Sequence, residues 1–173
     1  MISKIGFLKD QIIESRNFVN RLISEIPQDL WYTIPNSTDS NFAWQIGHVM
    51  MAQNFHAITV ITGRNEKVID LIPIVQYNKI FNGMGSLHRS VDKDLISPAK
   101  LKEQFDTVHK ICIDTLTKLN DDVLDNKLEP IPFKHPIAET KYEALSWCFK
   151  HEMWHSAEME AIKRNLGYPI KWI

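Results

Sequence analysis

The stretch His151-Glu152-Met153-Trp154-His155 matches the H-E-x-x-H pattern, in which two histidines hold zinc and the glutamate serves as base. Histidines four apart on a helix stand one turn apart and within roughly 40° of each other. Two imidazoles so placed can grip one ion. His48 is a third candidate, because it falls on an apolar stripe with Trp44 and Met51. Three neutral imidazoles with open positions form a catalytic arrangement for zinc and suit nickel or iron as well. His48, His151 and His155 are therefore expected to bind one divalent ion, zinc or nickel first, with iron or manganese as alternatives. Trp44 and Trp147 each precede a proposed ligand by one turn, and with Met51 they are expected to wall the pocket.

The protease form of this chemistry needs a third ligand downstream. In one version a glycine and then a histidine follow the second histidine at three-residue steps, but Glu158 and Ala161 stand there. In the other a glutamate comes from a later helix, and the 18 residues after His155 hold no such helix. Glu152 is then expected to be a solvated or interhelical carboxylate. His56 lies eight residues past His48, about 12 Å along a helix, and is expected to take no part in the metal site. The same expectation holds for His109, on a mostly polar side of its helix, and for His88 and His135 in loops.

Four helical patterns position these residues. The first runs through Ile5, Leu8, Ile12, Val19, Leu22 and Ile26 and ends at Pro27. The second follows the polar cluster Asn36 to Ser40, carries Trp44, His48, Met51, Phe55 and Ile58, and stops at Gly63, which suits a helix-terminating glycine. Ser97-Pro98 announces the third, with Leu101, Phe105, Val108, Cys112, Leu116 and Leu119 as its stripe. Thr140-Lys141-Tyr142-Glu143 reads as a capping box opening the fourth. That helix carries Ala144, Trp147, His151, His155, Glu158 and Ile162 and ends at Gly167. Four helices with one stripe each predict an all-α four-helix bundle in a single domain over 1–173. Residues 64–96 are too long for a turn and are expected to cross over one end of the bundle, with a short helix at Tyr77–Phe81 and flexibility at Asn82–Ser86. Residues 127–136, with three prolines, read as a loop.

Phe42-Ala43-Trp44-Gln45-Ile46-Gly47-His48, the segment YNKIFNGMGS and His151-x-x-x-His155 closed by Gly167 resemble the DinB-like (YfiT/DinB) superfamily of metalloenzyme candidates over nearly the whole chain. The resemblance implies an up-up-down-down four-helix bundle, a three-histidine divalent site and a homodimer. Some members are thiol S-transferases or hydrolases. Members often carry glutamine three residues after the last histidine, where this chain has Glu158, a candidate fourth metal contact, proton-transfer group or substrate selector.

The net charge of −1 removes any global attraction to nucleic acid or anionic membrane. No apolar run spans a bilayer and no signal-peptide core precedes the first helix, so the protein is expected to be cytoplasmic. Cys112 and Cys148 are expected to be buried free thiols. Phe7, Phe18 and Ile23, off the inward stripe, are expected to serve a homodimer surface. The expected function is metal-dependent transfer or hydrolysis of a small molecule. The alternative is a non-catalytic metal or small-molecule binding protein, or a stress-response protein.

Overall fold

Each of the four stripes lies on a helix whose ends are fixed by its own sequence. The computed structural model describes residues 3–82 and 89–170. The first helix, α1 (Lys4–Ser24), is capped by Ser3, whose hydroxyl accepts from the Gly6 amide. Asp121, from a short 3-10 turn far along the chain, accepts from the amides of Lys4 and Ile5 at 2.9 and 2.8 Å. A carboxylate there meets the positive end of the helix dipole. The second pattern is α2 (Phe42–Asn54), which passes through a π-helical turn (Phe55–Thr59) into a last turn, α3 (Val60–Thr62). Gly63 ends it at φ 87°, a backbone region that favours glycine. The third is α6 (Pro98–Leu116), with Ser97 as cap and proline in the first turn. It stops short of Leu119, which packs partly buried against the core. The fourth, α7 (Lys141–Asn165), opens on the complete capping box of Thr140 and Glu143, and Gly167 follows it at φ 90°.

Between the second and third patterns lie two short helices, α4 (Glu66–Leu71) and α5 (Ile74–Phe81). The short helix read at Tyr77–Phe81 is thus real and starts earlier. The crossover does more than cover an end: α4 packs on α6, and α5 lies against α2. Of the flexible stretch expected at Asn82–Ser86, residues 83–86 lie outside the described residues, as does His88. Among the described residues the fold is all-helical, with two isolated backbone bridges, Ser40 with Arg89 and Lys127 with Thr140. No helix among them is long and apolar enough to cross a membrane.

Helix α1 packs on α7 and α6, while α2 packs on α6 and α7. Residues Phe42 to Gly47 of α2 are all buried, so this helix is central rather than amphipathic. Trp31, Trp44, Phe42, Phe81, Phe105, Ile12 and Leu22 are among the fully buried side chains, each of this apolar kind worth about 1.5–3 kcal/mol relative to exposure. Cys112 and Cys148 are buried free thiols, as expected, and burial pushes the Cys112 thiol up to about 12.

One expectation is corrected. Ile23 is 6% exposed and belongs to the core, because α1 is covered on more than one stripe by α6 and α7. Phe18 is also packed against the core, which leaves Phe7 as the exposed one of the three. Arg16, a charged residue on α1, is 1% exposed. It pairs bidentately with Glu152 (2.6 and 3.3 Å), donates to Gln53 Oε1 (3.0 Å) and the Phe105 carbonyl (3.1 Å), and lies over the Phe105 ring. One guanidinium so ties α1 to α2, α6 and α7. Every charge in the cluster has a partner, the condition on which a buried ion pair is tolerated.

Candidate metal centre

His48, from α2, and His151 and His155, from α7, bring one ring nitrogen each within 4.8 Å of one another. His48 Nε2 lies 3.3 Å from His151 Nε2, and His155 Nε2 lies 3.2 Å from the same atom. Three nitrogens at zinc-like bond lengths around a tetrahedral centre would be separated by roughly 3.3–3.4 Å. The expected trio is therefore brought together, with spacings suited to one small cation.

The partners of the other ring nitrogens fix which atoms carry protons. His48 Nδ1 lies 2.6 Å from the Phe81 carbonyl, which can only accept. His155 Nδ1 lies 2.7 Å from Gln45 Oε1 and 3.1 Å from Glu158 Oε2, both acceptors. In the neutral rings Nδ1 therefore holds the proton, and Nε2 offers a lone pair. His151 aims its own Nε2 at both. One proton on His151 could satisfy only one of these lone pairs; a divalent ion could accept from all three nitrogens. Metal-bound histidines characteristically donate their second N–H to a carbonyl or carboxylate, as His48 and His155 do here. The residues present fit a divalent ion.

Burial is the main reason the His48 and His151 rings stay neutral. Desolvation, reinforced by the neighbouring His155, lowers the His48 pKa to about 4. Desolvation with His155, His48 and His56 nearby lowers that of His151 to about 2.

The segment Phe42 to His48 supplies much of the support. Trp44 donates its indole N–H to the Ile80 carbonyl at 2.9 Å and stacks on the His48 ring, with 4.7 Å between centroids. Gly47 leaves the space that the Phe81 ring occupies, since a Cβ there would run into that ring. Both contacts hold α5 against α2 and so hold the Phe81 carbonyl over His48. Gln45 is fully buried; its amide N–H groups reach Ser40 Oγ and Glu158 Oε2, both at 2.9 Å, which turns Oε1 toward His155. Glu158 also pairs with Arg89, whose guanidinium lies 5.2 Å from the Trp44 ring centroid. Burial raises the Glu158 pKa, but His155 and Arg89 outweigh it and hold the carboxyl at about 2.

Of the expected pocket residues, Trp44 touches His48, Trp147 lies 5.9 Å from the His151 ring while partly exposed, and Met51 is buried in the core. Glu152, the glutamate of H-E-x-x-H, is 1% exposed and engaged by Arg16, so the interhelical reading holds. Two histidines set aside on sequence grounds are not surface residues. His56, on the π turn, is 6% exposed and His135 is 4% exposed. Straight α-helical extrapolation cannot place His56, because the i→i+5 bonding of a π turn resets the register. His109 Nδ1 accepts from Gln53 Nε2 at 3.0 Å and so joins the Arg16 cluster.

Gln45, Arg89 and the Phe81 carbonyl were not found by sequence reasoning. A glutamine inside an otherwise apolar run was the available signal for Gln45, since a buried amide needs partners. Nothing local marks Arg89 or Phe81.

The family model of the DinB superfamily matches residues 11–159, a span that includes all three histidines. No curated protein matches the chain.

Proposed function

The chain belongs to the DinB superfamily, and on that premise we propose that it is a divalent-metal protein that transfers or hydrolyses a small molecule, with a thiol or water as nucleophile. His48, His151 and His155 would be the ligands. The observation that carries this reading is the convergence of their three Nε2 atoms, two of them shown as lone pairs by their Nδ1 partners. A divalent ion held there would supply Lewis acidity, lowering the pKa of a coordinated thiol or water. The chain's own residues do the rest. Phe81 and Gln45 hold two rings in the tautomer that presents Nε2. Trp44 and Trp147 flank the site. Glu158, already holding Arg89 and ionised well below neutral pH, orients His155 and attracts little proton density, so we assign it positioning rather than proton transfer.

Partial exposure of His48 and His151 favours an open coordination position, and with it catalysis, over the closed site of a purely structural or sensing ion. The packing of α1 on α7 and of α2 on α6 and α7, with a long crossover between α2 and α6, supports an up-up-down-down four-helix bundle. Zinc or nickel suits three imidazoles best. A homodimer remains part of the proposal, with exposed Phe7 as its anchor.

The test is elemental analysis of protein purified without a metal-affinity tag, followed by thiol-transfer and ester-hydrolysis screens on the loaded protein. About one ion per chain and metal-dependent turnover are expected. A loaded protein inert to every class screened would favour the binding-only alternative, and a chain that takes up no divalent ion would end the reading.

A further inference from the structure

Beside the three converging histidines lies a second pair that the proposed ligand set does not use. His135 Nδ1 accepts from two backbone amides, Ala138 at 2.8 Å and Ile137 at 3.2 Å. With Nδ1 occupied as acceptor, neutral His135 carries its proton on Nε2. That atom lies 2.9 Å from His56 Nδ1. His56 Nδ1 must therefore accept, which leaves the His56 proton on Nε2. Each tautomer follows from the one before it, starting from backbone groups that can only donate.

The pair is built rather than incidental. The His135 ring stacks on Phe55 with 4° between planes, and Phe133 stacks on the same ring. Both rings are buried, His56 at 6% and His135 at 4% exposure. The His56 ring stands 5.7 Å, centroid to centroid, from the ring of His151. A second metal at the pair is excluded by the same bonds, since His135 Nε2 holds a proton and His135 Nδ1 is already taken by amides.

We infer that His56, locked by His135 as an Nε2–H donor, is a substrate-positioning residue that binds a carbonyl or carboxylate oxygen of a small molecule at the three-histidine centre. The inference rests on the metal reading above and adds the class of group that the ligand must present. A fixed donor on a ring 5.7 Å from that of His151 would select for an acceptor oxygen and disfavour a purely apolar ligand, because the donor would then be left unpaired.

The test has two arms. Nitrogen-15 NMR of the metal-free protein at pH 7 should show His135 and His56 both as Nε2–H tautomers. The second arm uses cobalt(II)-loaded protein titrated with acetate and read by its visible spectrum. His56→Phe should bind cobalt with unchanged stoichiometry and an unchanged acetate-free spectrum, yet bind acetate about tenfold more weakly, the scale of one hydrogen bond to a charged acceptor. His56→Gln, which keeps a donor near the Nε2 position, should recover most of that affinity and serves if His56→Phe folds poorly. An Nδ1–H tautomer at His56, or acetate affinity that neither variant changes, would overturn the inference while leaving the metal reading intact. Loss of cobalt from His56→Phe or His56→Gln would make His56 a ligand and overturn it too. Failure of the unaltered protein to bind cobalt at all would bring down the metal reading, and this inference with it.

Discussion

Gly47 and Phe81 are in such close apposition that the aromatic ring fills the space a side chain at 47 would need. The same Phe81 accepts the Nδ1 proton of His48 through its carbonyl, at 2.6 Å. A glycine with no unusual backbone angle so controls the orientation of its neighbour in sequence. Gly47→Ala should push α5 off α2. The expected cost is about 1–3 kcal/mol of stability from overpacking, and metal affinity should drop about 10–100-fold through loss of the outer hydrogen bond. Urea denaturation and metal titration read the two effects separately, and an alanine variant with wild-type metal affinity would mean that Phe81 does not orient His48.

Removing any one of His48, His151 or His155 should leave a helical protein that no longer binds a stoichiometric divalent ion. Four apolar stripes hold the fold, whereas two imidazoles hold an ion poorly. A ligand that binds only the folded state raises the melting temperature. Zinc should therefore raise that of the unaltered protein and leave those of His48→Ala, His151→Ala and His155→Ala unmoved. A zinc-dependent rise that survives in His48→Ala would remove His48 from the site.

Glu152 should behave as a structural residue. Arg16→Met strands a buried carboxylate and should destabilise by about 3–5 kcal/mol, as broken buried ion pairs do. Glu152→Gln keeps hydrogen-bonding capacity and should cost less, while stoichiometric metal is retained. If Glu152→Gln instead kept full stability and abolished metal-dependent peptide cleavage, the H-E-x-x-H protease reading would return.

Acid should destabilise the metal-free protein before any carboxylate titrates. Burial holds His56 and His109 at about 3 and His48 at about 4, against an ordinary value of 6.5. Between those limits the unfolded chain binds protons that the folded chain refuses, so stability falls as the pH drops. It is complete above about pH 6.5 and declines progressively below. Urea midpoints at pH 7.5, 6.0 and 5.0 should fall in that order, and His109→Gln should reduce the slope. Metal affinity should fall in the same direction, as protons compete for the imidazoles. A midpoint constant across this range would contradict the neutral, buried state assigned to these rings.

The sequence by itself determined the four main helical stripes and pointed to all three proposed ligands. Stripes at three- and four-residue spacing, the Thr140–Glu143 capping box, Ser97-Pro98 and the terminating glycines are local signals, carried by residues that touch within a turn or two. His151 and His155 are one turn apart on a single helix, so their adjacency was equally local. His48 was legible because a histidine on an apolar stripe needs an inward partner.

Tertiary structure decided everything that depends on which helix faces which. Arg16 is 136 positions from Glu152, and Gln45 is 110 from His155, so no periodicity links them. Arg89 and the Phe81 carbonyl reach the site only because α5 and the segment after it lie against α2. The π turn after Asn54 changed the facing of His56, and a proline-rich loop buried His135 beside it. Helical spacing reports the direction of a side chain from its own axis. What that side chain meets, and so which nitrogen of each histidine keeps its proton, is set by elements that the chain brings back from a distance.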